Sequence, residues 1–98
     1  MKELLKQFPH VSEINEVVNV YEVFVNGLEP VLKVKIVKHL ISGSYMGVAN
    51  LEVKPKNGLQ FTRSLHTKAT PEEALADAIA GFFQHYDKDA HVREVKGW

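Results

Sequence analysis

With 98 residues, 45% of them hydrophobic and 24% charged, the chain has the length and composition of one soluble globular domain spanning 1–98. It contains no cysteine, which excludes a disulfide framework, a cysteine-ligated metal site and a thiol nucleophile, and makes a cytoplasmic setting the expectation. Net charge is zero but uneven: residues 1–30 carry −3, residues 31–68 carry +6 and residues 69–98 carry −3, so a basic middle lies between acidic ends.

The amino-terminal stretch "KELLKQF" places Leu4, Leu5 and Phe8 on one helical side before Pro9 interrupts, which predicts a short helix. It has no long apolar core, so it does not read as a signal peptide, and no window approaches the roughly 20 apolar residues of a membrane span. From Glu16 the texture changes to "EVVNVYEVFV", whose β-branched and aromatic residues crowd a helix and suit a pleated surface. This predicts a first strand, ended by Asn26-Gly27, a pair that tolerates the positive φ of a tight turn. Read by alternation, the strand is apolar on both phases. Val18, Val20 and Phe24 form one, and Val17, Tyr21, Val23 and Val25 the other.

A second strand follows in "VLKVKIVKHLI", where Leu32, Val34 and Ile36 alternate with Lys33 and Lys35. After the turn "SGS", Tyr45, Gly47, Ala49, Leu51 and Val53 share one side of a third, and Gly47 marks a bulge or a close backbone approach. Lys54 to Gly58 is a further turn, and Leu59, Phe61 and Leu65 mark the inward side of a fourth strand. "TPEE" then opens a long helix: Thr70 as N-cap, Pro71 at the first helical position and Glu73 three residues after the cap. Leu75, Ile79, Phe82 and Tyr86 recur at helical spacing, and "HVREVKGW" offers an optional fifth strand. The predicted fold is α+β: an antiparallel meander of four, optionally five, strands with one long carboxy-terminal helix on one face and a short amino-terminal helix.

Four places carry candidate chemistry. In "RSLHTKATPEEA", Arg63, Ser64, Thr67 and Lys68 before a helix start are the ingredients of an anion site, although Glu72 and Glu73 already complement the helix dipole. Ser64 and His66 share a strand face, as a nucleophile and base would, with no third acid assignable. His85, Asp87, Asp89 and His91 lie within seven residues, at a spacing that matches no zinc or calcium signature. Lys33, Lys35, Lys38, Lys54, Lys56 and Arg63, with Tyr45 and Phe61 for stacking, are the raw material of a nucleic-acid-binding face.

The order of strands and final helix from Val17 to Tyr86, with the "TPEEAL" helix start, resembles the double-stranded-RNA-binding domain and the smaller HicB-type antitoxin. That resemblance implies a nucleic-acid contact. Where RNA-binding members carry lysines at the helix start, this chain has Glu72-Glu73. The leading expectation is therefore a non-catalytic interaction or regulatory module with no cofactor. It binds a protein partner or forms a homodimer through a sheet face at Tyr21, Val23 and Val25, because a doubly apolar strand needs two covers and the long helix supplies one.

Overall fold

The computed structural model describes residues 2–98. Helix α1 (Lys2–Gln7) is followed by β1 (Asn15–Val23), β2 (Leu32–His39), β3 (Tyr45–Ala49), β4 (Leu51–Lys54), β5 (Thr67–Lys68), α2 (Pro71–His85) and β6 (His91–Glu94). The principal sheet is antiparallel in the order β1-β2-β3-β5, and β4 pairs with β6 in a second, two-stranded sheet. The class is α+β, as the alternation of Leu32, Val34 and Ile36 and the capping signal at Thr70 predict. Among the described residues no helix is long and apolar enough to cross a membrane.

The predicted third strand divides in two at Asn50. Its side-chain oxygen accepts from the Lys33 amide at 2.7 Å and its amide group donates to the Val31 carbonyl at 3.1 Å, while its own carbonyl accepts from Val95. A short polar side chain thus takes over main-chain bonding where the strand leaves one sheet for the other. The optional last strand is real and lies on β4 as β6. The predicted fourth strand is mostly absent: around Phe61 only the bridge Val53–Thr62 forms, and pairing to β3 resumes at Thr67–Lys68. Leu59, expected to face inward, is 98% exposed in the turn before that bridge.

The core is a thin layer between β2–β4 and α2. Leu32, Val34, Ile36, Ala49, Leu51 and Val53 meet Ala74, Ala78 and Phe82. The alanines are the innermost helical residues, and Leu75 and Tyr86 pack at the margin. Gly47 explains the small side chains: a Cβ there would lie 2.4 Å from the Ala74 carbonyl oxygen. This is the close backbone approach that an isolated strand glycine signals. Thr70 caps α2 by accepting from the Glu73 amide at 3.2 Å, and Pro71 occupies the first turn.

Because α2 is seated over β3, its reach is set by its width. A helix is about 10–12 Å across and strands are about 4.8 Å apart, so one helix shields two or three strands. Here it shields β2, β3 and β4 and at most grazes β1, which meets the core only at its end through Val23. The expectation that the long helix covers one phase of the first strand is therefore corrected: α2 leaves most of both phases open.

Candidate functional site

The strand β1 was singled out by its valines, and its two phases are reset by a bulge between Val17 and Asn19. Directly opposed residues of an antiparallel pair project from the same face. Tyr21 and Val23 stand opposite Val34 and Leu32, hence on the α2 side, where Val23 and Val25 join the margin of the core and Tyr21 is more open. Val17 and Val20 stand opposite Val37 and Lys35, on the other side. Val17, Val18 and Val20 are 54, 40 and 50% exposed, and Phe24 just beyond the strand is 78% exposed.

The edge is also open along its main chain. Lys33 accepts from Asn50 and His39 donates to Ser44, so alternate residues of β2, from Lys33 to His39, turn their polar groups toward β3. Those between them bond to β1 through Asn19, Tyr21 and Val23, which turns the polar groups of Val20 and Glu22 outward; the Val20 N–H is capped there by the Asn19 side-chain oxygen at 2.9 Å, and the Glu22 N–H and both carbonyls face away from the sheet. Edge strands are ordinarily blunted by lysine, proline or brevity. This one is nine residues long and holds neither lysine nor proline. Its charges, Glu16 and Glu22, sit opposite Lys38 and Lys33.

Helix α1 does not close the gap. Among the described residues it makes no extensive contact with any strand or with α2, and the linker after it is tied to the far end of the β2–β3 hairpin. Ile14 accepts from the Leu40 amide at 2.8 Å, and the Glu13 carboxylate accepts from the amides of Ile41 and Ile14, each at 3.0 Å. The Ile41 bond is the main cause of a Glu13 pKa lowered from the ordinary glutamate value. Leu4, Leu5, Phe8, Val11 and Ile14 together line an apolar hollow of about 140 Å³.

The polar candidates converge elsewhere. Ser64, His66 and Lys68 run alongside α2 and meet Asp77, an acid the sequence alone did not single out. Ser64 donates to Asp77 at 2.8 Å, the His66 Nδ1 lies 2.7 Å from the Ser64 hydroxyl and 3.2 Å from the carboxylate, and the Lys68 ammonium is 3.9 Å away. Two acceptors around Nδ1 place the ring proton there. A nucleophile-base-acid relay passes through both ring nitrogens, one for the hydroxyl and one for the acid. Here serine and aspartate share Nδ1, so the three residues form a clasp that pins the 61–68 segment to the helix. Gly81, one turn beyond Asp77, leaves room for it: a Cβ there would fall 2.2 Å from that of Ser64. Asp77 and Gly81, four apart on one helical side, were the available trace. The adjoining depression, lined by Thr62, Arg63, Ser64, His66, Gly81, Gln84 and His85, holds about 140 Å³, below the roughly 300–1,000 Å³ of small-molecule pockets.

Five further cations are similarly occupied. Arg63 turns inward to donate to the Ala49 carbonyl at 2.9 Å, away from the helix start. Lys35 lies 5.1 Å from the Trp98 ring centre and donates to the Trp98 carbonyl, Lys38 lies over Tyr45, and Lys54 and Arg93 lie over Phe61. Lys33, Lys35 and Lys54 share the face opposite α2, whereas Lys38 is on the α2 side and Lys56 is exposed in a turn. After α2, Asp87 accepts from the Asp89 amide at 2.8 Å in a turn, and among the described residues no group of three His, Asp or Glu side chains converges on a cation position.

No protein-family model, curated protein or solved structure matches the chain. The surface that stands out is the open edge at β1.

Proposed function

We propose that this protein is a small non-catalytic interaction module that binds a protein partner, or a copy of itself, by strand addition at β1. The observation that carries the reading is the nine-residue edge strand, with exposed apolar side chains on both faces and with the Val20 carbonyl and the Glu22 N–H and carbonyl pointing outward. Strand addition supplies hydrogen bonds to such an edge while side chains on alternate faces supply selectivity. The Glu22 amide is the direct reporter, since the Val20 amide already donates to the Asn19 side chain. Hydrogen exchange should show the Glu22 amide protected when the chain is concentrated or when cell extract is added. Free exchange at that amide under every condition would refute the reading.

A second reading is contact with nucleic acid through the face opposite α2, supported by Lys33, Lys35, Lys54 and Arg93 projecting there. It requires duplex RNA or DNA to be retarded at low salt and released steeply as salt rises. No retardation at low salt removes it.

A further inference from the structure

Three properties of the protomer converge on one occupant of the β1 edge. The first is surface. A monomer of 11.1 kDa is expected to expose roughly 5,700 Å², whereas this chain exposes 6744 Å². The excess, about 1,100 Å², exceeds the roughly 800 Å² per partner of a standard stable interface. The second is shape. The radius of gyration is 15.5 Å, against about 13 Å for a compact domain of this length, and the longest extent is 50 Å.

The third property is the apolar hollow at α1. A helix of six residues has little stability of its own in water, yet this one leaves Leu4 and Phe8 43 and 53% exposed around a hollow that is partly open to solvent. Its volume, about 140 Å³, is that of a site for one aromatic ring, on the scale of the roughly 150 Å³ that accommodates benzene. The chain carries such a ring on its surface in Phe24. Within one protomer the two cannot meet, because the hollow lies before the start of β1 and Phe24 lies past its end. Two β1 strands paired antiparallel bring the start of each to the end of the other.

We propose that a second copy of this chain occupies the β1 edge, its β1 antiparallel to the first about a two-fold axis at Val20, with Phe24 of each protomer seated in the α1 hollow of its partner. The proposal rests on the reading of β1 as a contact edge. An axis at Val20 pairs an outward-pointing residue with its own copy, its amide exchanging the Asn19 side-chain oxygen for the partner's carbonyl, and sets Glu22 against Val18, the bulge residue without a partner in β2. An axis one residue earlier, at Asn19, would set Glu16 directly against Glu22, and like charges directly opposed are destabilising. A foreign extended peptide would satisfy the edge and leave both the hollow and Phe24 bare. A second copy covers all three.

The test is light scattering on the full chain from low to high micromolar concentration, combined with single cysteines in this cysteine-free sequence. A species of twice the 11.1 kDa chain mass is expected. Oxidation should cross-link Val20→Cys efficiently and Phe24→Cys weakly, because the two-fold separates the latter pair by roughly eight residues of strand, about 27 Å. Phe24→Ala, at an exposed position that the monomer fold does not need, should weaken dimerisation roughly 10–30-fold. A monomer at every concentration overturns the proposal, as does a dimer without the Val20 cross-link or one indifferent to Phe24→Ala. If the chain is monomeric but extract still protects the Glu22 amide, the interaction reading stands with another protein as occupant. If that amide stays unprotected too, both fail.

Discussion

Gly47→Ala tests the seat of α2, on which the exposure of β1 depends. The new Cβ would lie 2.4 Å from the Ala74 carbonyl oxygen, 3.1 Å from the Ala74 carbonyl carbon and 2.9 Å from the Ala78 Cβ. Restoring ordinary contact, which begins near 3.4 Å, requires the helix backbone to retreat by about 1 Å. The obstructing atoms belong mainly to main chain, so no side-chain rotation relieves them. Ala74 and Ala78 are fully buried, and Phe82 and Ile36 would be carried apart with them. Overpacking of this kind costs about 1–3 kcal/mol. Removing a glycine from a strand interior returns about 0.5–1 kcal/mol. A backbone retreat of that size places the cost in the upper part of its range, about 2–3 kcal/mol, so the net loss is about 1–2.5 kcal/mol, and at roughly 4–8 °C per kcal/mol for a domain of this size, the midpoint should fall by about 4–20 °C. Thermal unfolding followed by circular dichroism measures it. A midpoint unchanged or raised would mean that the helix does not bear on β3 at this point, and the account of why β1 is uncovered would go with it.

Asn50→Ala removes the acceptor of the Lys33 amide and the donor to the Val31 carbonyl where the long strand changes sheets. A loss of about 1–3 kcal/mol is expected, seen as a lower urea midpoint at unchanged slope; an unchanged midpoint would show that water replaces the side chain at no cost. Glu13 gives the acid response. Its folded pKa is lowered, mainly by the Ile41 amide, so its contribution is present above the ordinary glutamate range near pH ~4.3 and is lost as pH falls through its folded value. Hydrogen exchange at the Ile41 amide should therefore accelerate below that range in the native chain, while Glu13→Gln shows no such transition. Identical pH profiles for the two would refute the tether.

Local signals were legible in the sequence wherever one residue type has one physical use. Thr70-Pro71-Glu72-Glu73 caps a helix wherever it occurs, and the alternation of Leu32, Val34 and Ile36 with Lys33 and Lys35 marks a half-buried strand in any context. Gly47 was readable as a close approach. Its consequence, that Ala74 and Ala78 rather than Leu75 and Ile79 form the innermost helical face, requires knowing what lies opposite. The phases of β1 were misread because a bulge adds one residue without a compositional mark, which moved Val17 and Val20 to one side and Tyr21 and Val23 to the other. Hydrophobicity alone points Leu59 and Leu65 inward, yet both are exposed, because the turn and the Ser64–Asp77 clasp decide where that segment runs. The acid of the clasp leaves only the faint trace of Gly81 four residues on, because Asp77 is 11 residues from His66 and 13 from Ser64, and a hydrogen-bonded cluster has no periodicity.

The open edge follows from the same contact that organises the core. With glycine at 47 the helix settles onto β3, and its width then fixes β4 and β2 as the limits of what it covers. Moving α2 toward β1 would uncover Leu51 and Val53, which are 1% exposed, so the long helix has no position that serves both ends of the apolar surface. The amino-terminal segment is held at the opposite end of the β2–β3 hairpin by Glu13 and Ile14, and six helical residues span only about 9 Å, too little to shield a strand of nine residues that runs for about 30 Å. Neither helix can therefore cover β1 while these tethers hold. Burial of Val17, Val18 and Val20 together with the Val20 and Glu22 main chain thus requires atoms from another molecule, and the apolar hollow at α1 gives that molecule a second point of attachment.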